Sequence, residues 1–205
     1  GKTAVAAGVA FTAVRGGWQA AMMAPTELLA EQHARSLTKL LAGSGVRVGL
    51  LTGSQPAAVK KQVQADLAAG DIDFIVGTHA LLSEGVVFHR LGLVITDEQH
   101  RFGVAQRATL AAKGANPHML VMSATPIPRT LALIVYGDLD VSILDELPPG
   151  RQPIETYAVD TGKRERAYNY IKKHIAEGRQ AYIVCPLVED GEEETASLVS
   201  ATAYF

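Results

Sequence analysis

Five short apolar runs recur along the first 125 residues, and each is separated from the next by a stretch with helical spacing or a turn. They are WQAAMMAP (18–25), VRVGLLTG (46–53), DFIVGT (73–78), LGLVITDE (91–98) and HMLVMSAT (118–125). Strands that read as nearly unbroken apolar runs, not as alternating ones, are buried on both faces. Alternation of such strands with amphipathic helices restricts the chain to an α/β fold, a parallel sheet with helices on both faces.

The intervening segments carry the expected helix signals. KTAVAAGVAFTAVRGG is closed by Gly16-Gly17, and Thr26 can cap ELLAEQHARSLTKLLAG, which stops at Gly43. Pro56 opens PAAVKKQVQADLAAG at a first-turn position. HALLSEG reads as a short helix or turn, GVAQRATLAAKG and PIPRTLALIVYGD as helices, and LDVSILDE closes the set. Residues 146–156, ELPPGRQPIET, form the one Pro/Gly-dense stretch and read as a linker. Beyond it the alternation restarts with TYAVD as strand, KRERAYNYIKKHIAEG as helix and QAYIVCPLV as strand. The expected organisation is therefore a first domain over 1–145, the linker, and the start of a second over 157–205.

Bulk properties narrow the class. A chain that is 48% apolar and 20% charged suits a soluble globular protein. No apolar run reaches the roughly 18 to 20 residues needed to cross a bilayer, so no membrane role is expected. Cys185 is the single cysteine, which forbids an internal disulfide and fits a reducing cytoplasm. No signal peptide is visible, and the start without Met and the end on SLVSATAYF read as a piece of a longer protein. A net charge of −2 gives no global attraction to nucleic acid, so any such binding must rest on local donors.

Ligands in open α/β sheets collect beyond the carboxyl ends of the strands. All five runs end there in small or polar groups: Ala24-Pro25-Thr26, Thr52-Gly53-Ser54, Gly77-Thr78-His79, Asp97-Glu98 and Ser123-Ala124-Thr125. Gly1-Lys2-Thr3, ahead of a helix, matches the last three positions of the phosphate-binding loop G-x-x-x-x-G-K-[ST]. In that loop backbone N–H groups cradle phosphates, the lysine neutralises them and the hydroxyl ligates Mg²⁺. Asp97 and Glu98 supply a matching acidic half: the first carboxylate can hold Mg²⁺ and the second can polarise an attacking water. Taken singly, a G-K-T tripeptide also fits a frayed terminus, and an acidic residue after a strand also fits a helix cap. The pair together, 95 residues apart, favours a nucleotide site.

GKT, MAPTELLAEQH, LLTGS, GTHALL, VITDEQHRFGV and MSATPIPRT, in this order, resemble the superfamily 2 helicases. DEQHRFG, SATPIPRTLAL and ELPPGRQPIET are most similar to the RecG family of bacterial ATP-dependent DNA helicases. The resemblance implies a RecA-like (P-loop NTPase) first lobe and the start of a second such lobe. It implies ATP and Mg²⁺ as cofactors, with Gly1, Lys2, Thr3, Asp97 and His100 around the nucleotide. Lys2 would serve the triphosphate, Thr3 and Asp97 the metal, and Glu98 the attacking water. Gln99 and His100 would link the nucleotide to DNA, and Ser123 and Thr125 would relay nucleotide state between lobes. Pro25, Thr26, Glu27, Thr52, Gly53, Ser54, Thr78 and His79 would line the backbone of a DNA strand. Hydroxyls, glycine N–H groups and a helix N-terminus bind phosphate without reading sequence and without a large positive charge, which agrees with that track. The partner implied is branched or fork DNA, and the motor implied is monomeric.

Three rivals to this reading are a transcription-repair coupling translocase, a non-catalytic α/β binding module, and a nucleotide-independent metabolite enzyme. The word Gln99-His100 disfavours the first, intact Lys2, Asp97 and Glu98 the second, and the DEQH and SAT words the third. For Phe102 a core anchor is favoured over a coupler of DNA contact to the nucleotide site, for Arg129 a solvated first-turn arginine over a phosphate contact, and the basic helix around Lys163 to Lys173 reads as a solvated face. The histidines lack metal-ligand spacing, so no zinc site is expected. The first five positions of the phosphate loop and the strand before them are expected to precede Gly1, and the resemblance implies that this strand lies beside the one ending at Asp97. Residues 1–205 alone are therefore expected not to turn over ATP.

Overall fold

The computed structural model describes residues 1–97, 104–123, 140, 142–144, 146 and 150–185, apart from the side chains of 104, 107 and 161. The chain divides into two compact units, Gly1–Pro148 and Pro149–Phe205.

In the first unit the elements follow the order read from the sequence: α1 (Lys2–Arg15), β1 (Gln19–Met23), α2 (Glu27–Leu40), β2 (Val48–Leu51) and α3 (Ala57–Ala69). β3 (Phe74–Gly77), a 3-10 turn (His79–Leu82), β4 (Leu91–Thr96), α4 (Val104–Ala111) and β5 (His118–Val121) complete it. The strands make one parallel sheet in the order β2-β3-β1-β4-β5. β1 and β4 sit inside the sheet, and all of β1 is buried, which is why neither strand shows a polar alternation.

Period-two alternation divides the core between the two faces. Ala20, Met22, Phe74, Val76, Leu93 and Ile95 pack against Ala6, Ala7 and Ala10 of α1 and Ala30 and Leu37 of α2. The opposite residues, Ala21, Met23, Ile75 and Val94, pack against Leu67 of α3 and Leu81 and Leu110 beyond it. The same alternation sends Asp97, just past β4, to the α1–α2 face, in phase with Leu93 and Ile95.

Buried Gln19 shows how a polar residue is accommodated in β1. Its Nε2 donates to the carbonyls of Leu67 (2.9 Å) and Ile72 (2.7 Å), and its Oε1 accepts from Arg90 N (3.0 Å). Three of the amide's four hydrogen-bonding directions, both donors among them, are thereby used, so burial carries little penalty.

Two expectations need correction. β4 is paired on both sides, with β1 and with β5. No place remains beside the Asp97 strand for another; a further parallel strand could join only at an outer edge, next to β2 or β5. In the second unit, residues 164–176 form the expected helix, α5 (Arg164–Ala176), none of whose residues is buried. The segments read as strands, 156–160 and 180–188, show no strand where they are described: residues 156–160 and 180–185 have no ladder partner among the described residues, and 186–188 lie outside them. A strand is defined by its neighbour, and Tyr157, Val159, Tyr182 and Val184 are all exposed there. Residues 140 and 142–144, within LDVSILDE, lie in no regular element.

Candidate active site

Gly1 is the N-cap of α1, and its carbonyl accepts from the N–H groups of Ala4 and Val5. Lys2 and Thr3 therefore occupy the first helical turn. The strand–helix alternation carries this turn to the carboxyl end of β4, where Lys2 Nζ stands 3.5 Å from Oδ1 of Asp97. Asp97 is anchored to the sheet through its N–H, which donates to Met23 O at 3.1 Å. Its residue is 7% exposed, and it is the buried charged residue among those described. Its other oxygen, Oδ2, lies 2.8 Å from Nε2 of His33 on α2. An ionised carboxylate only accepts, so the His33 ring N–H donates.

This is a hard-oxygen site beside a lysine. A carboxylate oxygen suits Mg²⁺, and an ammonium that is about one-third exposed remains reachable by phosphate; Thr3, next to Lys2 in the first turn of α1, is half-buried. The residues present thus fit a magnesium-bound nucleotide. Glu98, Gln99 and His100 lie outside the described residues, as do Phe102, Thr125 and Arg129; Ser123 is half-buried two residues beyond β5.

The loops expected along DNA all emerge from the same sheet edge. Pro25 is half-buried, and Thr26 is exposed and caps α2, its hydroxyl accepting from Leu29 N at 3.3 Å. Thr78 is buried and its hydroxyl accepts from Ala80 N at 3.5 Å, while His79 beside it is exposed. Thr52 N donates to Gln55 Oε1 at 2.9 Å, and Gly53 O accepts from Lys60 Nζ at 3.0 Å. Capping uses the acceptor side of these hydroxyls and leaves each its own O–H donor.

Glu27 plays a different part from its neighbours. Its Oε1 accepts from Ser54 N at 2.9 Å, tying the start of α2 to the loop after β2. Hydrogen bonding from Ser54, first through its side chain and then its N–H, holds the Glu27 carboxyl below the usual carboxylate range. A carboxylate that stays ionised has no donor for phosphate; what it does is fix the loop.

The family model for the DEAD/DEAH box helicase matches residues 1–134. The chain belongs to the DEAD/DEAH box helicase family. It is 53% identical over 193 residues to a Synechocystis protein named ATP-dependent DNA helicase RecG, covering 94% of this chain and 23% of that one. A Bacillus subtilis protein of the same name is also 53% identical, with 94% and 28% covered. The chain thus spans about a quarter of the length of these curated relatives. A solved structure described as RecG bound to a three-way DNA junction superposes with a TM-score of 0.68 at 44% identity, covering 84% of this chain and 23% of that chain. The RecA-like fold follows from the family and from this superposition.

Within the helicase framework, the residue that sequence reasoning missed is His33. Its signal was present: it falls three residues after Ala30 and four before Leu37, the two buried positions of α2. Helical phase therefore put it on the inward face. Reading the histidines only for metal spacing passed over it. Among the described residues no helix is long and apolar enough to cross a membrane, and no His/Cys/Asp/Glu cluster could hold a metal by itself.

Proposed function

We propose that residues 1–145 are the first RecA-like lobe of a RecG-type ATP-dependent DNA translocase, joined by a linker at 146–156 to the start of a second lobe at 157–205. The protein would act on branched DNA, stalled forks and Holliday-type junctions, in the bacterial cytoplasm. The observation that carries this reading is the approach of Lys2 to Asp97 at the sheet edge where the candidate DNA loops also emerge.

Thr3 and Asp97 would hold Mg²⁺, which supplies charge neutralisation between the phosphate oxygens when bound. Lys2 binds the triphosphate electrostatically and favours the charge that builds on it during transfer. Glu98 takes a proton from the attacking water. Gln99, His100, Ser123 and Thr125 pass the state of the nucleotide to the other lobe and to DNA. Thr26, Gly53, Ser54 and His79 grip one strand by its phosphates, with Pro25, Glu27 and the buried Thr52 and Thr78 shaping their loops. Because those contacts read backbone and not bases, they suit a motor that must move along any sequence.

The test is Lys2→Ala in the whole gene product, followed by nucleotide binding, phosphate release and three-way-junction binding. Phosphate release should fall by about two to three orders of magnitude while junction affinity stays within about threefold. Release above about a tenth of the unmodified rate would remove Lys2 from the site.

A further inference from the structure

Asp97 is reached by two helices at once. Lys2, from α1, faces Oδ1 at 3.5 Å, and His33, from α2, takes Oδ2 at 2.8 Å. The histidine contact is the shorter and drier of the two, the His33 side chain being 13% exposed against 32% for Lys2. It also spans 64 residues of sequence and crosses from a helix to the sheet edge, so it is no by-product of local chain geometry.

The terminal torsion of an aspartate is soft and nearly two-fold, so a carboxylate keeps one direction only where its oxygens are held. A metal ligand must present one oxygen in a fixed direction. We propose that His33 is a positioning residue of the magnesium–nucleotide site: its Nε2–H clamps Oδ2 of Asp97 so that Oδ1 is held toward Lys2 and the metal. This inference rests on the reading of Asp97 as a magnesium ligand given above. Ligating carboxylates are commonly fixed by such outer hydrogen bonds, and losing one costs about 10- to 100-fold in metal affinity. His33 can serve because Ala30 and Leu37, one turn to either side, bury that face of α2 and fix where its ring lies.

The experiment uses the whole gene product with His33→Leu, which fills the space without a donor, and His33→Gln, which restores an N–H at similar reach. Binding of a fluorescent ATP analogue is titrated against Mg²⁺ alone, without turnover, and thermal midpoints are recorded alongside. For His33→Leu the Mg²⁺ concentration giving half-maximal binding should rise about 10- to 100-fold. His33→Gln should recover most of that shift. An unchanged Mg²⁺ requirement in both variants overturns the proposal, and so does a lowered midpoint in His33→Leu with the requirement unmoved. Asp97→Asn separates the two levels of the argument. If it too binds Mg²⁺ and nucleotide normally, the site itself is misassigned. If it fails while His33→Leu is normal, only the role of His33 is wrong.

Discussion

Lys2 Nζ and Asp97 Oδ1 lie 3.5 Å apart although 95 residues of sequence separate them. The fold brings them together by placing the start of α1 over the end of β4, on the face that Leu93 and Ile95 share with Ala6 and Ala10. Asp97→Asn removes the negative charge that Lys2 and His33 both address. The amide is nearly the same size, and Lys2 can turn to water, so folding should hardly change. We expect a thermal midpoint within a few degrees of the parent, since about 1 kcal/mol moves it by only ~2–4 °C in a domain of this size. Phosphate release should drop at least about a hundredfold. A large loss of midpoint with activity kept would mean that the pair is structural.

Glu98→Gln should uncouple binding from turnover. The amide keeps shape and hydrogen bonding but cannot take a proton, while Asp97 is untouched. Nucleotide affinity should stay near normal and hydrolysis fall about a hundredfold or more. Lost affinity with normal turnover at saturation would exchange the roles given to the two carboxylates.

Arg47 and Asp73 bind the start of β2 to the start of β3. Arg47 donates to Asp73 through its backbone N–H (2.8 Å), Nε (2.9 Å) and Nη2 (2.8 Å), with Asp71 as a further partner at 3.2 Å. The Arg47 side chain, first of all, holds the Asp73 carboxyl below its ordinary value of 3.8, and the guanidinium is raised in turn. A depressed carboxyl stabilises the fold above its unfolded value, and that contribution is lost as pH falls through the lower folded value. Asp73→Asn should therefore cost about 1 to 2 kcal/mol at neutral pH, the guanidinium being half exposed. The deficit should shrink as pH falls below about 3.8. Urea melts of both proteins at pH 7 and in the acid range measure it; a deficit independent of pH would assign the loss to packing.

How much of this could be read in advance follows from what is local. The five strands and the helices between them were legible because burial on both faces and helical phase leave their marks within a few residues. Strand order was not, because which strand neighbours β4 depends on crossovers that no short window contains; hence the misplaced extra strand. The described parts of the runs at 156–160 and 180–188 failed as strands for a related reason, since propensity without a ladder partner among the described residues leaves Tyr157, Val159, Tyr182 and Val184 exposed. At the site, Lys2 and Asp97 could be matched through their motifs. His33 could not, because its function depends on which carboxylate α2 happens to face. Glu27 belongs to the same class: its motif suggested phosphate, whereas its contact is the Ser54 N–H.

Gly77 offers the last test, because it links the core to the loops. It ends β3 in register with Met23 of β1 on one side and Leu51 of β2 on the other. A Cβ there would strike the Leu51 carbonyl oxygen and come within 2.9 Å of Leu81 Cγ. The side chain of Leu81 could shift; a backbone carbonyl inside a sheet cannot without moving the end of β2. That end leads straight into Thr52, Gly53 and Ser54, and Thr78 N donates to the same Leu51 carbonyl at 3.3 Å. Gly77→Ala should therefore cost about 1 to 3 kcal/mol as overpacking and displace two candidate DNA loops together. The nucleotide pair Lys2–Asp97 lies across β1 and should be affected less. Thermal melts, junction binding and ATP-analogue binding are measured on one preparation. We expect a lowered midpoint, and junction affinity reduced by a larger factor than nucleotide affinity. Equal losses of both would point to general destabilisation, and an unchanged midpoint would show that β2 yields more easily than its position implies.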